Sequence, residues 1–512
     1  MQNEINRKLK RFLDIDGELS KDDLIKALDQ IIDDMEPNII LLSDAYKYSH
    51  PKFYTPGLTY LSSYLESRGG QFQETLWYGI QYILKKYLVG PVLSMKMIEQ
   101  ADKKLNGKDG VFGTEVFPKQ KWIDLLNKHN GNIPVKIYAV QEGTVVPVKN
   151  ILLRMESADE EFAWIENFIE GLILQVWYPV TVATLARETK KEMRKYFLLT
   201  GTKPGDVDAL IEYSLCEFGF RGASSVESAS IGDSAFLTSF SSSDTIVGSD
   251  MLTKYYNTSK MYGKSINATE HSICTMEGEK GELNTFKRCL DTVPTGLVAC
   301  ISDSYNIIRA CEEYWGTILK DQIMQRDGTL IIRLDSGHPT QTIKRVMEIL
   351  FDKFGYTTNY LGFKVLPPQI RIIQSDGVNY DSIIQIYQMF VCEKISAENL
   401  ALGMGGKMLQ AGIDRDKQNF AIKAHHAIIN GVEVDIIKNP LEIDAYGNES
   451  VSFKKSKKGK LKLILTDGVY STISSSDCED FDSYEDQLKL IYGIGKLIVD
   501  EKIEEIRERA KI

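Results

Sequence analysis

A series of apolar, strand-like segments occupies residues 211–408, each followed by an acidic or glycine-rich tip and then by a helical segment. The clearest tips are Asp303, Asp335, Asp376 and Gly405, which stand 32, 41 and 29 residues apart. This spacing fits one strand and one helix per interval and predicts consecutive βαβ units. Continuously apolar strands are typical of a parallel sheet covered on both faces. Several such units in series predict an α/β barrel with its chemistry at the carboxyl ends of the strands, and an open doubly wound sheet is the alternative.

The segments on either side of this repeat have a different pattern. Residues 1–37 carry apolar side chains at helical spacing and predict an N-terminal helical extension. Residues 38–210 combine short alternating runs with a long helical stretch, which predicts an α+β domain. Residues 409–512 hold short strands and a closing amphipathic helix. We expect residues 409–512 to pack back on the N-terminal domain, because neither piece alone has a complete apolar core.

Composition and charge exclude several classes of protein. The 512-residue chain has a formal net charge of -10, whereas a broad nucleic-acid footprint needs a basic surface. The N-terminus lacks the apolar core of a signal peptide, and the apolar runs are shorter than a membrane span. The seven cysteines include no CxxC pair, so neither a disulfide framework nor a zinc knuckle is expected. We predict a cytoplasmic protein without nucleic-acid or membrane partners.

Glycines and cations in the repeat region predict a phosphate site. Gly405 and Gly406 precede a predicted helix, where backbone N–H groups and the helix dipole favour an anion. Arg221 and Arg333 lie near neighbouring strand ends, and guanidinium groups match phosphate oxygens. His271 lies at another tip, where an imidazole can donate a proton to a departing pyrophosphate.

The three aspartates allow two interpretations. Carboxylates at neighbouring strand ends can hold ribose hydroxyls, or a Mg²⁺ ion that also binds substrate phosphates. Asp303, Asp335 and Asp376 can equally cap the helices that follow them. The residues alone leave both interpretations open.

Taken in order, these tips resemble those of the nicotinamide phosphoribosyltransferases, a branch of the type II phosphoribosyltransferases. The resemblance covers residue 38 to the end. Its motifs are DAYKYSH (44–50), YLESRGG (64–70), QVWYPVTVAT (175–184), FGFRGASSVESASIGDSA (218–235), SSSDTIVG (241–248), ATEHS (268–272), SDSYNI (302–307), IIRLDSGHP (331–339), QSDGV (374–378), GMGG (403–406) and SKKGKL (456–461). The resemblance implies an irregular α/β barrel combined with a β-rich α+β domain built from N- and C-terminal segments. It also implies a head-to-tail homodimer with active sites at the interface.

The resemblance implies how a pyridine base is held. Phe218 matches the aromatic residue that stacks on the ring, and Tyr46 matches one that the other subunit supplies. Asp244 matches the acid that accepts a hydrogen bond from the carboxamide NH₂. A carboxylate accepts this amide donor and repels the carboxylate of nicotinic acid, which favours nicotinamide as the substrate.

The other matches concern the sugar, the phosphates and the reaction itself. The residues matched to catalysis are His271, Asp303 and Asp335. The residues matched to the nucleotide are Arg333, Asp335, Ser375, Asp376, Gly405, Gly406 and Arg415. The residues matched to the diphosphate are Arg68, Arg221, His271, Arg333, Lys423 and Lys438.

The chain also departs from the family pattern, at positions that concern fine substrate contacts more than the reaction. Ser375 stands where the family usually has Gly, and Ala299 stands in place of a Ser. The further departures are Leu334 for Pro, Lys407 for a third Gly, and one inserted residue between Gln410 and Arg415.

The resemblance implies a pentosyltransferase of NAD salvage. It would form nicotinamide mononucleotide and pyrophosphate from nicotinamide and 5-phosphoribosyl 1-pyrophosphate. Mg²⁺ is expected with phosphoribosyl pyrophosphate, no resident metal is expected, and ATP is expected as a coupling substrate. The alternatives are a nicotinate phosphoribosyltransferase, which Asp244 disfavours, and a non-catalytic binding protein that keeps the fold.

Overall fold

A computed structural model describes residues 37–443, 447, 449–452 and 455–512. The predicted helical extension over residues 1–37 lies outside the described residues, except for Pro37. None of the described helices is both long and apolar enough to cross a membrane.

The described chain mixes strands and helices. The strands are β1 (Leu58–Ser67), β2 (Glu74–Leu76), β3 (Val135–Ala139), β4 (Val145–Pro147), β5 (Ile151–Ser157), β6 (Leu215–Glu217), β7 (Ser242–Ser243), β8 (Asn267–Ala268), β9 (Thr295–Ile301), β10 (Asp327–Leu334), β11 (Thr357–Thr358), β12 (Lys364–Val365), β13 (Ile370–Gln374), β14 (Leu400–Met404), β15 (Phe420–Ile429), β16 (Val432–Asp435), β17 (Leu441–Ile443), β18 (Glu449–Val451), β19 (Leu461–Thr466), β20 (Val469–Ser474), β21 (Lys489–Gly493) and β22 (Lys496–Leu497). The α-helices are α1 (Ile80–Tyr87), α2 (Met95–Leu105), α3 (Lys119–His129), α4 (Ile165–Phe168), α5 (Glu170–Leu174), α6 (Trp177–Leu199), α7 (Val207–Ile211), α8 (Val226–Phe236), α9 (Ile246–Tyr255), α10 (His271–Cys274), α11 (Gly278–Thr292), α12 (Ile307–Arg309), α13 (Lys320–Met324), α14 (Pro339–Phe354), α15 (Tyr380–Cys392), α16 (Gly406–Leu409) and α17 (Ile503–Arg509). A π-helix, Ala310–Ile318, follows α12.

Seven strands form a parallel sheet in the order β7-β6-β14-β13-β10-β9-β8. A parallel bridge between Ser242 and Lys264 also brings the segment just before β8 beside β7. The sheet therefore curls, and its strands follow one another around it in chain order. This arrangement confirms the predicted irregular α/β barrel, since a doubly wound sheet reverses its strand order at a central switch point.

The strands of the barrel are apolar because both of their faces are covered. The consecutive residues Val298, Ala299, Cys300 and Ile301 of β9 point to alternate faces of the sheet, and all four are buried. Helix α14 has a buried apolar stripe, spaced three to four residues apart, as expected of a helix that covers a sheet. The members of this stripe are Ile343, Val346, Met347 and Leu350.

The second large sheet is antiparallel and has the order β16-β15-β1-β5-β3-β21-β22. Strand β15 pairs with β1 from Ser67↔Phe420 to Leu58↔Ile429, and β21 pairs with β3. N-terminal and C-terminal segments therefore share one sheet, which confirms the predicted β-rich α+β part. The domain boundaries at residues 210 and 408 stay predictions.

Candidate active site

The carboxyl ends of the seven parallel strands bring most of the predicted site residues to one edge of the barrel. The strand ends are followed by Phe218 after β6, Asp244 after β7, His271 after β8, Asp303 after β9, Asp335 after β10, Ser375 and Asp376 after β13, and Gly405 and Gly406 after β14. Arg333 is the penultimate residue of strand β10, and Arg221 lies in the 3₁₀ turn Phe220–Gly222. The side chains of Arg221 and Asp376 are exposed at this edge.

The three residues predicted to be catalytic contact one another. His271 Nε2 lies 3.2 Å from Asp303 Oδ1, and His271 Nδ1 lies 3.8 Å from Asp335 Oδ2. The other Asp303 oxygen accepts the Asp335 backbone N–H at 2.8 Å and the Ser336 hydroxyl at 2.6 Å. The Asp303 side chain is only 3% exposed, whereas the His271 side chain is 46% exposed. A held carboxylate thus orients an imidazole that remains open to a ligand.

Ser375 connects the cation and the carboxylate of the predicted nucleotide site. Its hydroxyl donates to Asp335 Oδ1 at 2.6 Å and accepts from Arg333 Nε at 2.9 Å. Arg333 Nη2 also lies 3.7 Å from Asp335 Oδ1. These contacts arise because β10 and β13 are in register, with Leu334 opposite Gln374.

The capping interpretation of the three aspartates is wrong. Asn306 caps α12 and accepts the Arg309 backbone N–H, and Asn379 caps α15 with a capping box. His338 precedes α14, which begins at Pro339. The aspartates stand before these N-cap residues, between the strand ends and the helices.

Phe218 and Asp244 lie on the β6–β7 side of the same edge. A Cβ added at Gly403 would lie 2.1 Å from the Phe218 ring, so only glycine lets the ring pack on β14. The Arg333 guanidinium lies 5.4 Å from the centre of that ring. Asp244 is exposed and accepts a hydrogen bond from the Ser265 hydroxyl. An aromatic face and a carboxylate acceptor thus lie beside the cation and acid cluster.

The sequence is similar to those of known proteins along nearly its whole length. The model of the nicotinamide phosphoribosyltransferase N-terminal domain matches residues 38–137, and the model of the nicotinate phosphoribosyltransferase (NAPRTase) family matches residues 213–462. A nicotinamide phosphoribosyltransferase of Xanthomonas campestris pv. campestris is 35% identical over 92% of this chain and 98% of its own length. The chain belongs to the nicotinamide phosphoribosyltransferase family. A second relative of that name, from Acinetobacter baylyi, is 26% identical over 91% of this chain and 95% of its own length.

Solved structures with the same fold are more distant in sequence than these family members. Nicotinate-nucleotide pyrophosphorylase from Pyrococcus furiosus aligns with a TM-score of 0.54 at 15% identity, over 92% of this chain and 95% of the other. Human nicotinic acid phosphoribosyltransferase aligns with a TM-score of 0.50 at 14% identity, over 92% of this chain and 93% of the other. At these identities the likeness concerns the fold alone.

The cations that the family resemblance assigns to the phosphates fall in two places. Arg221 and Arg333 lie at the barrel edge, whereas Arg68, Arg415, Lys423 and Lys438 line one cavity of about 210 Å³ beside β15. Burial lowers the pKa of Lys423, and the charges of Arg68, Lys438 and Arg415 add to this effect. A cluster of four cations around one cavity is typical of a site that binds an anion.

Tyr46, the family's second aromatic residue, lies on the N-terminal part of the chain. It belongs to the 3₁₀ segment Ala45–Lys52 and is 59% exposed. His50 packs edge-on against its ring at 5.0 Å between centroids. The next residue, Lys47, anchors the segment through Glu170 at 2.9 Å.

Two residues of this region have no counterpart among the predicted site residues. Glu217 and Asp233 are fully buried acids next to Phe218 and Asp244. A signal for Asp233 is present in the sequence, because an acid interrupts the apolar and small residues of SIGDSAF. Glu217 gives no such signal, since it reads as one more polar residue at a strand end.

Within the described ranges, no group of three or more His, Cys, Asp or Glu side chains is arranged to hold a metal ion. Both oxygens of Asp303 are already engaged by protein groups. The exposed carboxylate of Asp376 and the partly exposed carboxylate of Asp335 are oxygen donors of the kind that bind Mg²⁺ together with substrate phosphates.

Proposed function

We propose that this protein transfers the phosphoribosyl group of 5-phosphoribosyl 1-pyrophosphate to the ring nitrogen of nicotinamide. The products are nicotinamide mononucleotide and pyrophosphate, in NAD salvage. The observation that carries the proposal is the continuous contact chain His271–Asp303–Asp335–Ser375–Arg333 at the barrel edge, next to Phe218. Membership of the nicotinamide phosphoribosyltransferase family supports it.

The reaction is a substitution at C1 of the ribose. The bond from C1 to pyrophosphate breaks, the pyridine nitrogen forms the new bond, and the charge that develops is positive on the sugar and negative on pyrophosphate. Phe218 stacks on the base while Asp244 accepts the carboxamide N–H, which places the nitrogen in line with C1. Asp335 and Asp376 face the ribose, and Arg221, Arg333 and His271 stabilise the leaving group.

The proposal includes Mg²⁺, bound to the phosphates of phosphoribosyl pyrophosphate, and ATP as a coupling substrate. Mg²⁺ enters with phosphoribosyl pyrophosphate and neutralises its phosphates. ATP transfers its γ-phosphoryl group to an imidazole nitrogen of His271 and leaves as ADP. Water then cleaves the N–P bond of the phosphohistidine and releases phosphate, which couples ATP hydrolysis to synthesis. The exposure of the His271 ring supports this role. Measurement of ADP formed per mononucleotide, in His271→Ala and the wild type, tests the coupling.

The sharpest test of function is base selectivity. Purified protein is given nicotinamide or nicotinate, with phosphoribosyl pyrophosphate and Mg²⁺, and the mononucleotide is quantified. We expect a strong preference for nicotinamide over nicotinate. Asp244→Ala should lower kcat/KM for nicotinamide about 10- to 100-fold and reduce the ratio of the two kcat/KM values. Ser265→Ala is a matched variant that keeps the carboxylate. Unchanged nicotinamide use in Asp244→Ala contradicts the assignment.

The nearest alternative is a nicotinate phosphoribosyltransferase, because residues 213–462 match the model of the NAPRTase family. A preference for nicotinate in the same assay establishes it. Absence of pyrophosphate release with either base favours the third hypothesis, a binding protein without catalysis.

A homodimer with shared sites, located in the cytoplasm, completes the proposal. Exposure of Tyr46 and the separate cavity lined by Arg68 and Lys423 suit contributions to the site of a second copy. The seven free thiols suit a reducing compartment. The Tyr46→Ala and Asp335→Asn variants, each expected to be inactive alone, are dissociated into subunits, mixed in equal amounts and allowed to form dimers again. A shared site predicts recovery of about a quarter of wild-type activity, because half of the random dimers carry one intact site; no recovery contradicts it.

A further inference from the structure

Two buried carboxyl groups lie beneath the base side of the barrel edge. Glu217 ends β6 and Asp233 lies in α8, and both side chains are completely buried. Burial of a carboxyl is unfavourable unless its oxygens are hydrogen-bonded. The partners of these oxygens therefore indicate what the two acids do.

Glu217 holds together the two turns that carry the base-binding side chains. One of its carboxyl oxygens accepts the backbone N–H of Gly219, which follows Phe218. The other accepts the hydroxyl of Thr245, which follows Asp244. The Glu217 carbonyl also accepts the Asp244 backbone N–H at 3.0 Å. A single residue thus ties the Phe218 turn to the Asp244 turn.

Asp233 fixes the Asp244 turn from the side of α8. Its Oδ1 accepts the Ser243 hydroxyl at 2.7 Å, and the oxygen of that hydroxyl accepts the Thr245 backbone N–H at 3.0 Å. Asp233 Oδ2 has no hydrogen-bond partner among the described residues. A Cβ added at Gly248 would lie 2.1 Å from this oxygen, so α9 packs directly on the carboxyl.

Both acids are disfavoured as charges. Burial raises the pKa of Glu217 to about 7, and the charge of Asp244 adds to this effect. Burial, followed by the charge of Glu217, raises the pKa of Asp233 well above its usual range. Apolar side chains of the same size are often as stable in such positions as buried ionisable groups. Two acids that both accept hydrogen bonds from the Asp244 turn are therefore better explained by a role in the active site than by a contribution to stability.

We propose that Glu217 and Asp233 are positioning residues of the base subsite, which hold the Phe218 ring and the Asp244 carboxylate at a fixed separation. Ring and carboxamide of the base are then recognised together. The inference rests on the proposed function, because it takes Phe218 and Asp244 as the base-binding pair.

A kinetic test compares disruptive with conservative variants. Glu217→Ala and Thr245→Val break the connection, whereas Glu217→Gln and Thr245→Ser keep a hydrogen-bonding group in place. We expect KM for nicotinamide to rise at least about tenfold in the first pair and to be largely restored in the second, with KM for phosphoribosyl pyrophosphate within about twofold throughout. Glu142→Ala is the matched control, since Glu142 is also buried and accepts the Gln81 backbone N–H at 2.7 Å outside the site. Unchanged KM for nicotinamide in Glu217→Ala and Thr245→Val overturns the inference.

Hydrogen exchange separates this inference from the proposed function, because it needs no activity. We expect amide exchange in a peptide covering residues 241–248 to be at least about tenfold faster in Asp233→Ala, Ser243→Ala and Thr245→Val than in the wild type, and unchanged in Glu142→Ala. Unchanged exchange in all three variants overturns the inference even if the enzyme uses nicotinamide. If the three variants exchange faster but the wild-type protein forms no mononucleotide, the connection between the turns stands and the proposed function is overturned.

Discussion

The Asp303 carboxylate links the His271 imidazole to the backbone of Asp335. One oxygen lies 3.2 Å from His271 Nε2 and the other accepts the Asp335 N–H at 2.8 Å. The two strand ends are at the same level, because Ile301 pairs with Arg333 two residues earlier on each strand. A change at Asp303 therefore affects both neighbours at once.

Asp303→Ala is expected to lower kcat about 100-fold, because it releases the His271 ring and leaves the Asp335 N–H without its acceptor. KM for nicotinamide should stay within about threefold, since the proposed base subsite lies on the β6–β7 side. Steady-state kinetics measure both constants, and the exposed Asp381→Ala on α15 is the control. A kcat within twofold of the wild type, about the scatter of such assays, would rule out this role.

Ser375→Ala is expected to raise KM for phosphoribosyl pyrophosphate about five- to tenfold, equivalent to about 1 kcal/mol. The hydroxyl donates to Asp335 and accepts from Arg333, and its loss lets both side chains turn away from the ribose. The KM for nicotinamide serves as the internal control. Ser375→Gly, which restores the usual family residue, should behave like Ser375→Ala if the hydroxyl matters; a wild-type KM in both variants contradicts this account.

Lys423→Gln is expected to raise KM for phosphoribosyl pyrophosphate about tenfold or more, because it removes a cation from the cavity shared with Arg68, Arg415 and Lys438. An increase in KCl concentration should weaken the binding of phosphoribosyl pyrophosphate more in the wild type than in the variant. Pyrophosphate should raise the melting temperature of the wild type, since an anion that binds only the folded protein beside these clustered cations stabilises it. Lys203→Gln, an exposed lysine elsewhere, is the control. Equal stabilisation of both variants by pyrophosphate would locate the anion site elsewhere.

The strand-end positions of the site were predictable because βαβ spacing fixes which residues follow each strand. Asp303, Asp335 and Asp376 all lie at the barrel edge for this reason. The closure of the barrel was harder to predict from the sequence, because β7 and β8 have two residues each and the Ser242–Lys264 bridge lies outside any apolar run.

Contacts that depend on packing between elements could not be predicted from the sequence. The bridge of Ser375 between Arg333 and Asp335 needs the register of β10 with β13, which no local pattern contains. Burial of Glu217 and Asp233 likewise depends on α8, α9 and β6 meeting. The sequence therefore identified the strand-end residues but not the groups that orient Phe218 and Asp244.

Glu166 in α4 makes the stability of the protein depend on pH. It is completely buried, and burial, followed by the charges of Glu170 and Glu156, raises its pKa to about 8. Its pKa in the unfolded chain is near 4.5, so between these values the folded state binds a proton that the unfolded state does not. The free energy of unfolding therefore falls as pH rises through this window, by up to about 1.4 kcal/mol per pH unit from this one group.

Glu166→Gln removes that loss while keeping the size of the side chain. We expect the variant to gain stability relative to the wild type as pH rises from 5 to 8, measured by urea unfolding at several pH values with m-values compared. Glu217 and Glu501, whose pKa values burial raises to about 7 and about 8, contribute equally to both proteins and cancel in the difference. A stability difference that does not change with pH would mean that Glu166 is ionised in the folded protein at neutral pH, and that Lys47 nearby compensates its charge.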